Sequence, residues 1–314
     1  MSTRRYLVTG GAGFIGSHLA EALLNQGESV RVFDNLSTGR SSNLEALQGH
    51  PGHFEFVQGD LSDRDAVRAA IEDVEVVFHQ GARASVPSSI AEPELSLETN
   101  ITGTHNVLLA AKDAGVKRVV YASSSSVYGN TLVLPTHEEV AIAPLSPYAV
   151  HKLTGEWLCR VFTQIYGLET VALRYFNVFG PRQDPASEYA AVIPRFLTRL
   201  MEKRLPIVYG DGEQTRDFTF IENVVQANLL AATSSAAVGT VMNIGCGERI
   251  SLNTVLQIVG ELLGIRVNAE YRDPRPGDVR NSFADISKAR QLLEYEPKVN
   301  FREGLARTIA TMPD

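Results

Sequence analysis

Cysteine is scarce in this sequence of 314 residues, in which only Cys159 and Cys246 occur. Two isolated thiols, without the spacing of a metal or redox motif, exclude a disulfide framework and are typical of a reducing compartment. An excess of positive charge is also missing, because the net charge is -7 and no basic run is present. Such a charge balance argues against nucleic acid as the main partner. We therefore expect a cytoplasmic protein with no metal site and no nucleic-acid partner.

Long apolar runs are absent as well. No run approaches the roughly 20 apolar residues that a membrane-spanning helix needs, so we expect no membrane association. A strand-like segment begins within the first ten residues, which predicts that no signal peptide is present. The hydrophobic fraction of 44% is typical of a globular protein, and the chain is long enough for one large lobe or two packed lobes.

A glycine-rich turn is the most informative feature that is present. Gly10, Gly13 and Gly16 recur at every third position between the apolar run 6–8 and an amphipathic segment. Glycine at these positions permits a sharp turn, a close approach of the main chain to a diphosphate, and close packing of helix on strand. The helix N-terminus then offers N–H groups and a favourable dipole to the phosphates. The stretch predicts a dinucleotide-binding turn, with a plain βα turn as the alternative.

Asp34 ends the second strand-like run, about 20 residues beyond the glycines. A carboxylate at that place accepts hydrogen bonds from the adenine-ribose diol and repels a 2′-phosphate, which predicts NAD rather than NADP. The polar loop that follows includes Ser37 and Gly39 and could wrap the adenosine end of the dinucleotide.

Strand-like and helix-like segments alternate as far as residue 176. This order predicts an α/β fold, a doubly wound parallel sheet of the Rossmann type. From residue 177 the rhythm breaks, which predicts a smaller C-terminal substrate-binding lobe. We therefore place an NAD-binding domain at 1–176, with a return to it at about 217–245, and a second domain at 177–314. A short strand is predicted at 266–271 within the second domain.

Two polar stretches follow predicted strands of the first domain. Residues 123–126 are four consecutive serines, which are unusual as packing and suited to hydrogen-bond a polar ligand. Tyr148 and Lys152 stand about one turn apart on a helix predicted to begin at Ser146 and Pro147. A nearby ammonium favours the phenolate, which can take a proton from an alcohol. The alternative for this spacing alone is a core tyrosine and a solvated lysine.

The stretches TGGAGFIG, SSSSVYG and YAVHK together resemble the extended short-chain dehydrogenase/reductase family over essentially the whole chain. Further stretches resemble the UDP-hexose 4-epimerases, especially those that act on N-acetylated sugars; these are RYFNVFGPRQDP, AAVIPRF, TRDFTFIENVVQANLLAA and RPGDVR. The resemblance implies NAD-dependent 4-epimerisation of a UDP-hexose through a transient 4-keto sugar, in a homodimer. The substrates would be UDP-glucose and UDP-galactose, together with their N-acetylated counterparts, and the second domain would bind the nucleotide sugar.

The resemblance also implies roles for single residues. Tyr148 would be the catalytic acid and base, with Lys152 and Ser124 beside it. The dinucleotide would be held by Gly10, Gly13, Phe14, Ile15, Gly16, Asp34, Asn35, Ser37, Gly39, Asp60, Leu61, Gln80, Gly81, Ala82, Asn100, Tyr148, Lys152 and Tyr175. The sugar nucleotide would contact Ser85, Ser124, Ser125, Ser126, Tyr148, Asn177, Val192, Tyr209, Arg216, Arg275, Asp278 and Ser282. In this assignment Arg216 and Arg275 clamp the diphosphate, surface ion pairs being the alternative, and Asp278 meets a ribose.

Two further expectations concern substrate breadth and assembly. Ser282 stands where the resemblance implies a gate over the 2-substituent of the sugar, and a serine leaves room for an N-acetyl group; an ordinary loop serine is the alternative. The predicted helices 100–114 and 146–166 resemble a pair that builds the dimer contact of the family. Leu153 and Trp157 would lie in that contact, and packing within one subunit is the equal alternative.

Three other functions compete with this interpretation. A UDP-glucuronate 4-epimerase is the closest competitor, because that branch resembles the same serine motif. Related dehydratases and decarboxylases carry carboxylates in this motif where Ser125 and Ser126 stand here. Without an acid there, elimination from the neighbouring carbon lacks its proton carrier. A protein that holds NAD without catalysis is disfavoured, since Tyr148 and Lys152 are both present.

Overall fold

The computed structural model describes residues 4–184, 192–274 and 279–312. These residues form a large sheet and three short strand pairs. The strands are β1 (Arg5–Thr9), β2 (Ser29–Asp34), β3 (His53–Gln58), β4 (Val76–His79), β5 (Arg118–Ser124), β6 (Glu169–Tyr175), β7 (Val178–Phe179), β8 (Ile207–Tyr209), β9 (Thr215–Arg216), β10 (Thr219–Phe220), β11 (Thr240–Ile244), β12 (Ile250–Ser251) and β13 (Glu270–Arg272).

The helices follow the strands in the predicted alternation through the first half of the chain. They are α1 (Phe14–Asn25), α2 (Ser41–Glu45), α3 (Arg64–Ile71), α4 (Val86–Ala91), α5 (Pro93–Leu97), α6 (Gly103–Asp113), α7 (Pro147–Tyr166), α8 (Val192–Met201), α9 (Ile221–Thr233), α10 (Leu252–Leu263), α11 (Ser287–Leu293) and α12 (Phe301–Ile309). A π-helix (Glu98–Thr102) leads into α6, and a 3₁₀-helix (Ser125–Tyr128) follows β5.

The seven strands of the large sheet are all parallel and lie in the order β11-β6-β5-β4-β1-β2-β3. This arrangement confirms the predicted doubly wound Rossmann sheet. The strand order reverses at β1, so the carboxyl ends of β1 and β4 flank the crevice where open α/β sheets bind ligands. The glycine turn follows β1, and the residues that follow β4 are Gln80, Gly81 and Ala82.

Helices cover both faces of the sheet, and successive residues of a strand point to opposite faces. In β1, Val8 belongs to one apolar core, which it shares with Leu19 of α1 and Val224 of α9. Its neighbour Leu7 belongs to the other, which it shares with Val67 of α3 and residues of α6 and α7. The central strands β1 and β4 therefore carry apolar runs rather than an apolar–polar alternation.

Local signals set the bounds of the site helix α7. Ser146 caps its N-terminus by accepting a hydrogen bond from the amide of Ala149 at 3.2 Å, and Pro147 occupies the first turn. Gly167, at φ 72°, ends the helix in the left-handed region. The predicted start and end of this helix are thus confirmed, because both depend on residues close in sequence.

The second half of the chain is built from short elements. The strand pairs are β10 with β7, β12 with β9, and β13 with β8. The predicted strand at 266–271 is wrong over most of its length, because pairing begins only at Glu270, where β13 meets β8. Strand β11 joins the large sheet beside β6, and α9 packs against α1. The predicted domain boundaries themselves stay a prediction.

Two helix predictions need correction. The segment predicted as one helix from residue 100 begins as the π-helix, and regular α-helix starts only at Gly103. In α7, Leu153 and Trp157 do not share one environment, because Leu153 is 6% exposed and Trp157 is 59% exposed. Leu153 therefore packs within the subunit, which removes it from any contact between subunits.

Within the described ranges, no helix combines the length and apolar character required to cross a membrane. The same residues contain no group of three or more His, Cys, Asp or Glu side chains placed to hold a metal ion. The predicted cytoplasmic location stays a prediction.

Candidate active site

The glycine turn has almost no room for side chains. Gly10 adopts φ +67°, and a Cβ placed on it would lie 2.6 Å from the Cα of Gly81. A Cβ on Gly16 would lie 2.3 Å from the carbonyl oxygen of Gly10. The N-cap residue of α1, Gly13, makes no side-chain capping bond, so the N–H groups of the first turn are left for a ligand.

The Asp34 carboxylate sits at the end of β2 beside this turn. It accepts hydrogen bonds from the backbone amides of Ala12, at 3.0 Å, and Leu36, at 2.8 Å. Burial raises the pKa of Asp34, and these two hydrogen bonds act to lower it. A carboxylate oxygen can accept more than one hydrogen bond, so both oxygens keep capacity for a ribose diol.

A cavity of about 260 Å³ lies between the turn, Asp34 and the end of β4. Nine residues predicted to hold the dinucleotide line it: Gly10, Gly13, Phe14, Ile15, Gly16, Asp34, Gln80, Gly81 and Ala82. Six further residues line it: Thr38 and Arg40, which lie in the polar loop predicted to wrap the adenosine end, and Asn43, Ala84, Arg182 and Asp184, which were not predicted. The crowded turn, the carboxylate and the open space between them fit the diphosphate and adenosine portions of a dinucleotide.

Other predicted dinucleotide residues shape the walls of this region. The Asn35 amide donates to Asp60 at 2.5 Å, and the Ser62 hydroxyl donates to the same carboxylate at 2.7 Å. Burial acts to raise the pKa of Asp60, but these hydrogen bonds outweigh it, and the pKa is lowered. A Cβ on Gly81 would lie 2.8 Å from the Leu61 side chain, which therefore packs behind the turn.

The loop after Asp34 closes against the turn. Gly39 lies beside the Asp34 carboxylate, where an added Cβ would be 2.9 Å from Oδ1. The Ser37 amide donates to the Asn35 side chain at 2.9 Å, a bond that organises the loop itself. Asn43, a residue missed from the sequence, donates to the Ala12 carbonyl at 2.8 Å and so ties the loop to the turn.

Asn100 and Tyr175 lie on the far side of the β4 end. Asn100 accepts from the amide of Arg83 at 2.8 Å, and thus holds the segment that lines the cavity after β4. Tyr175 donates to the Asn228 side chain at 3.0 Å, and Gln80 donates to the Tyr175 hydroxyl at 3.1 Å. Asn228, on α9, was missed because nothing local in the sequence marks it.

Tyr148, Lys152 and Ser124 are brought together where β5 ends and α7 begins. Lys152 is buried, and its Nζ lies 5.8 Å from the centre of the Tyr148 ring and donates to the Ala122 carbonyl at 2.7 Å. Burial lowers the pKa of Lys152 to about 8. The three side chains form the predicted arrangement, although the walls of the two cavities described here are built from other residues.

The predicted effect of Lys152 on the Tyr148 phenol stays a prediction, because in the chain by itself burial dominates the pKa of Tyr148. Burial raises the pKa of Tyr148 to about 12, and a hydrogen bond with Ser124 acts in the opposite direction. In the chain by itself, withdrawal from water disfavours the phenolate by more than its neighbours favour it. In the chain by itself the phenol is therefore protonated near neutral pH.

The serine turn after β5 combines satisfied and unsatisfied hydroxyls. The Ser124 hydroxyl accepts from the amide of Ser126 at 3.2 Å and so caps the 3₁₀-helix that contains Ser125. The hydroxyl of Ser126 is buried and finds no hydrogen-bond partner among the described residues. A buried hydroxyl in this condition is a site where a polar ligand can bind.

A second cavity of about 260 Å³ is formed by the second half of the chain. Four predicted substrate residues line it: Asn177, Val192, Tyr209 and Arg216. Residues missed from the sequence also line it, among them Arg195, Arg199, Gln214 and Phe218. The Oε1 atom of Gln214 is buried and unpartnered among the described residues, which leaves an acceptor site toward this space.

Ser282 and Ser85 flank these cavities. The Asn177 amide donates to the Ser282 hydroxyl at 3.2 Å, so Ser282 lies directly behind a residue of the cavity wall. Ser85 follows Ala84 of the dinucleotide cavity, and its hydroxyl caps α4 by accepting from the amide of Ser88 at 3.1 Å. Arg275 and Asp278 lie outside the described residues, and their predicted roles stay predictions.

One chain segment links the two cavities. Residues 177–179 line the second cavity, and Arg182 and Asp184 of the same segment line the first. Arg182 pairs with Glu21 of α1 at 2.9 Å, and Asp184 pairs with Arg40. The segment that follows β6 therefore contributes to the walls of both cavities.

Comparison with known proteins assigns this arrangement to a family. The chain is 38% identical over 307 residues to the UDP-glucose 4-epimerase of Mycolicibacterium smegmatis, which covers 97% of each chain. It is 37% identical over 312 residues to the UDP-glucuronate 4-epimerase of Thermodesulfobacterium geofontis, covering 97% of this chain and 94% of that protein. A solved UDP-N-acetylglucosamine 4-epimerase from Methanobrevibacter ruminantium M1, in complex with UDP-N-acetylmuramic acid, superposes with a TM-score of 0.92 at 39% identity, covering 99% of this chain and 98% of that one.

Residues 6–245 match the model of the NAD dependent epimerase/dehydratase family. This match confirms the predicted extended short-chain dehydrogenase/reductase fold and the predicted cofactor, NAD. The chain belongs to the NAD dependent epimerase/dehydratase family.

Proposed function

We propose that this protein catalyses the NAD-dependent 4-epimerisation of a UDP-hexose, with Tyr148 as acid and base. One observation carries the proposal. Tyr148 and Lys152 of α7 meet Ser124 at the carboxyl edge of the parallel sheet. The serine turn that contains Ser124 carries no carboxylate. This set can take a proton from a hydroxyl and return it, but it holds no acid at 125 or 126 to drive elimination.

The chemistry supplied by bound NAD is a positively charged nicotinamide ring that takes hydride from carbon 4 of the sugar and gives it back. Tyr148 would remove the proton of the 4-hydroxyl as the hydride leaves, and Ser124 would hydrogen-bond the same oxygen. The 4-keto sugar would then turn over so that carbon 4 presents its opposite face to the returning hydride, and Tyr148 would give the proton back to the 4-oxygen. No net oxidation results, so atoms and electrons balance within one turnover.

Bound NAD would also change the protonation of Tyr148. A phenol with a pKa of about 12 is almost wholly protonated at neutral pH. The ammonium of Lys152 and a cationic ring would together favour the phenolate in a space with little water. We therefore expect the Tyr148 pKa to be lower in the NAD complex than in the chain alone.

The second cavity would hold the UDP portion of the substrate. Arg216 lies in its wall, and a guanidinium binds the oxygens of a diphosphate in a bidentate manner. Arg195 and Arg199 add positive charge to the same wall, and Phe218 offers an apolar face. The diphosphate can remain bound while the sugar turns, because these contacts do not involve carbon 4.

The proposed function includes which sugars are accepted. Ser282 accepts a hydrogen bond from Asn177 of the cavity wall, and its side chain is much smaller than an aromatic one. This small residue supports acceptance of N-acetylhexosamines as well as plain hexoses. UDP-glucuronate is the second candidate, since a relative named UDP-glucuronate 4-epimerase is 37% identical over nearly the whole chain. Each is a UDP-hexose derivative epimerised at the same carbon.

Proton NMR of the sugar ring tests the function directly. The full chain is incubated separately with UDP-glucose, UDP-N-acetylglucosamine and UDP-glucuronate, and the appearance of the 4-epimer is followed. We expect interconversion of the first two. Faster turnover of the uronic acid would reverse the ranking, and loss of carbon dioxide or of water would refute epimerisation. NAD released from the denatured protein would support a cofactor that stays bound between turnovers.

We also propose a homodimer built on α7. Trp157, Val161 and Ile165 lie at four-residue intervals on this helix and are 59%, 46% and 70% exposed. Apolar residues on one stripe of a long helix favour helix-to-helix contact with a second copy. Light scattering after gel filtration should give twice the mass of one chain, and Trp157→Glu should return it to the monomer.

A further inference from the structure

A buried ion pair stands directly behind the predicted catalytic residues. Arg174 of β6 donates two hydrogen bonds to the Glu156 carboxylate, at 2.8 and 2.7 Å. The two side chains are only 4% and 3% exposed. An ion pair withdrawn from water to this extent is costly unless its hydrogen bonds are satisfied, so its placement calls for an explanation beyond stability.

Glu156 is tied to both ends of the serine turn. The Ser123 hydroxyl donates to its Oε1 atom, and Ser123 directly precedes Ser124 in β5. At the other end, Arg174 donates to the hydroxyl of Tyr128 at 2.7 Å, and Tyr128 is the last residue of the 3₁₀-helix. The turn that presents Ser124 to Tyr148 is therefore held from behind by one buried network.

Glu156 also lies one helical turn beyond Lys152 on α7, so the two side chains share a face. Lys152 donates to the carbonyl of Ala122, and Glu156 accepts from the next residue of the strand, Ser123. The ammonium and the carboxylate are thus anchored to consecutive residues of β5. A negative charge at this place favours the ammonium form of Lys152.

The other groups that face Lys152 in the described structure are neutral at physiological pH. They are His79 on β4, Tyr121 on β5, and Tyr148 and Cys159 on α7. Burial, together with the charge of Lys152, lowers the pKa of His79 to about 3, so this imidazole is uncharged. Burial also raises the pKa of the Cys159 thiol well above its usual range, so it supplies no negative charge. Glu156 is therefore the neighbour of Lys152 that carries a negative charge and favours its ammonium form.

We propose that Glu156 is a positioning residue for the predicted reaction: held by Arg174 and Ser123, it keeps the Lys152 ammonium charged and fixes the serine turn against Tyr148. This inference rests on the proposed function only for its catalytic consequence. The effect of Glu156 on the charge of Lys152 can be distinguished from its effect on stability. The negative charge of Glu156 favours the ammonium form of Lys152, whereas the stability of the region depends on the whole Glu156–Arg174 pair.

Three variants distinguish these effects. Glu156→Gln removes the carboxylate and leaves a buried guanidinium unpaired. Arg174→Met removes the guanidinium and keeps the carboxylate near Lys152. The double variant Glu156→Gln/Arg174→Met removes both charges, and replacing a whole buried pair is often tolerated where removing one partner is not. Glu261→Gln is the matched control, because Glu261 pairs with Arg302 at 2.5 Å on an exposed helix far from the site.

The measurement is the titration of Lys152 in the full chain labelled with ¹³Cε-lysine, read by NMR. The sequence has six lysines, and Lys152→Met assigns the resonance. We expect the Lys152 pKa to fall by about one unit in Glu156→Gln, because an opposite charge has been removed. It should fall by less in the double variant, because the positive charge of Arg174 is removed as well. It should be unchanged or higher in Arg174→Met, and unchanged in Glu261→Gln. Thermal stability should recover from Glu156→Gln to the double variant while the lysine shift remains.

An unshifted Lys152 in a folded variant without the carboxylate would overturn the proposal, as would a fall in Arg174→Met. If Glu156→Gln does not fold, the double variant and Arg174→Met still give these readings. In the wild type, activity should decline as pH rises and Lys152 loses its proton, and this decline should begin at lower pH in the variants without the carboxylate. If the wild type shows no epimerisation, the proposed function fails while the NMR titration still decides the role of Glu156.

Discussion

The two cavities are built in opposite ways from the same chain. The dinucleotide cavity draws most of its wall from residues 10–43 and 80–84, which follow β1, β2 and β4 of one parallel sheet. The second cavity is assembled from residues scattered between 177 and 252, and its strands pair only in twos. The first is a property of the sheet edge, and the second depends on loops brought together over long separations.

Asp217 shows what the second construction requires. This buried carboxylate accepts hydrogen bonds from the amides of Cys246, Gly247 and Ala284, at 2.8, 3.0 and 3.1 Å. Burial raises its pKa to about 6, against the effect of these bonds. One side chain thus joins three distant segments. In the dinucleotide region, the segments are held together instead by the hydrogen bonds between parallel strands. The first cavity should therefore tolerate changes in the second, and the predictions below test that independence.

The largest effect is expected at Tyr148, which lies in neither cavity wall. Tyr148→Phe removes the acid and base while leaving the ring, so the rate of epimerisation should fall by about 10²–10⁴-fold. NMR of the sugar ring measures the rate. The NAD content and UDP binding should match the wild type, which would show that both regions are intact. Unchanged turnover would remove Tyr148 from the chemistry.

A change confined to the dinucleotide region should come next. Gly10→Ala places a Cβ 2.6 Å from the Gly81 backbone in a residue at φ +67°. Strain of about 1–3 kcal/mol should reduce NAD affinity by about tenfold or more, while UDP binding persists.

Calorimetry with NAD and with UDP measures both affinities. Gly115→Ala is the matched control, because Gly115 has φ +69° and nothing within 4 Å of its Cβ position. It should lose some stability but keep its NAD affinity. Equal loss of NAD affinity in both variants would show that strain, and not the clash with Gly81, decides binding.

A change confined to the second cavity should leave NAD unaffected. Ser282→Tyr puts a large ring beside Asn177 and should lower turnover of the N-acetylated sugar by about tenfold relative to the plain hexose. Competition between the two substrates, followed by NMR, measures the ratio. Ser235→Tyr, at an exposed position between α9 and β11, is the control. Intact turnover of the N-acetylated sugar in Ser282→Tyr would exclude a gate at this position.

The smallest effect is expected where the two regions meet. Asp184→Asn removes the ion pair with Arg40 at the rim of the dinucleotide cavity, where the two side chains are 41% and 48% exposed. Exposed pairs are worth about 0.2–1 kcal/mol, so NAD should dissociate faster by about fivefold at most. Fluorescence of NADH during dilution measures the rate. Asp211→Asn, which breaks an exposed pair with Arg280 that lines neither cavity, should leave it unchanged.

Sequence reasoning reached the residues whose roles depend on near neighbours. The cap at Ser146, the crowded Gly10 and the carboxylate at Asp34 follow from patterns a few residues long, and the structure places each where the pattern predicts. It missed Asn228, Asp217 and Glu156, whose roles depend on partners 18 or more residues away. A buried polar side chain with a distant partner looks, in sequence, like any polar residue on a helix or loop.

The direction in which the pKa of Tyr148 shifts could not be predicted from the sequence. The spacing of Tyr148 and Lys152 predicts their proximity, but not that both side chains would be so far withdrawn from water that burial dominates the pKa of each. Desolvation depends on everything packed around a group, and the sequence states only its immediate neighbours.

The amino-acid sequence by itself determined the order of strands and helices, the glycine turn and the residue types at the reacting centre, because short-range sterics and hydrogen bonding act within a few residues. Only the tertiary structure decided that residues 177–184 join the two cavities, that Asp217 ties three segments together, and that Glu156 stands behind Lys152. Those arrangements depend on packing between distant parts of the chain, which minimises exposed apolar area and buried unpaired charge over the whole molecule at once.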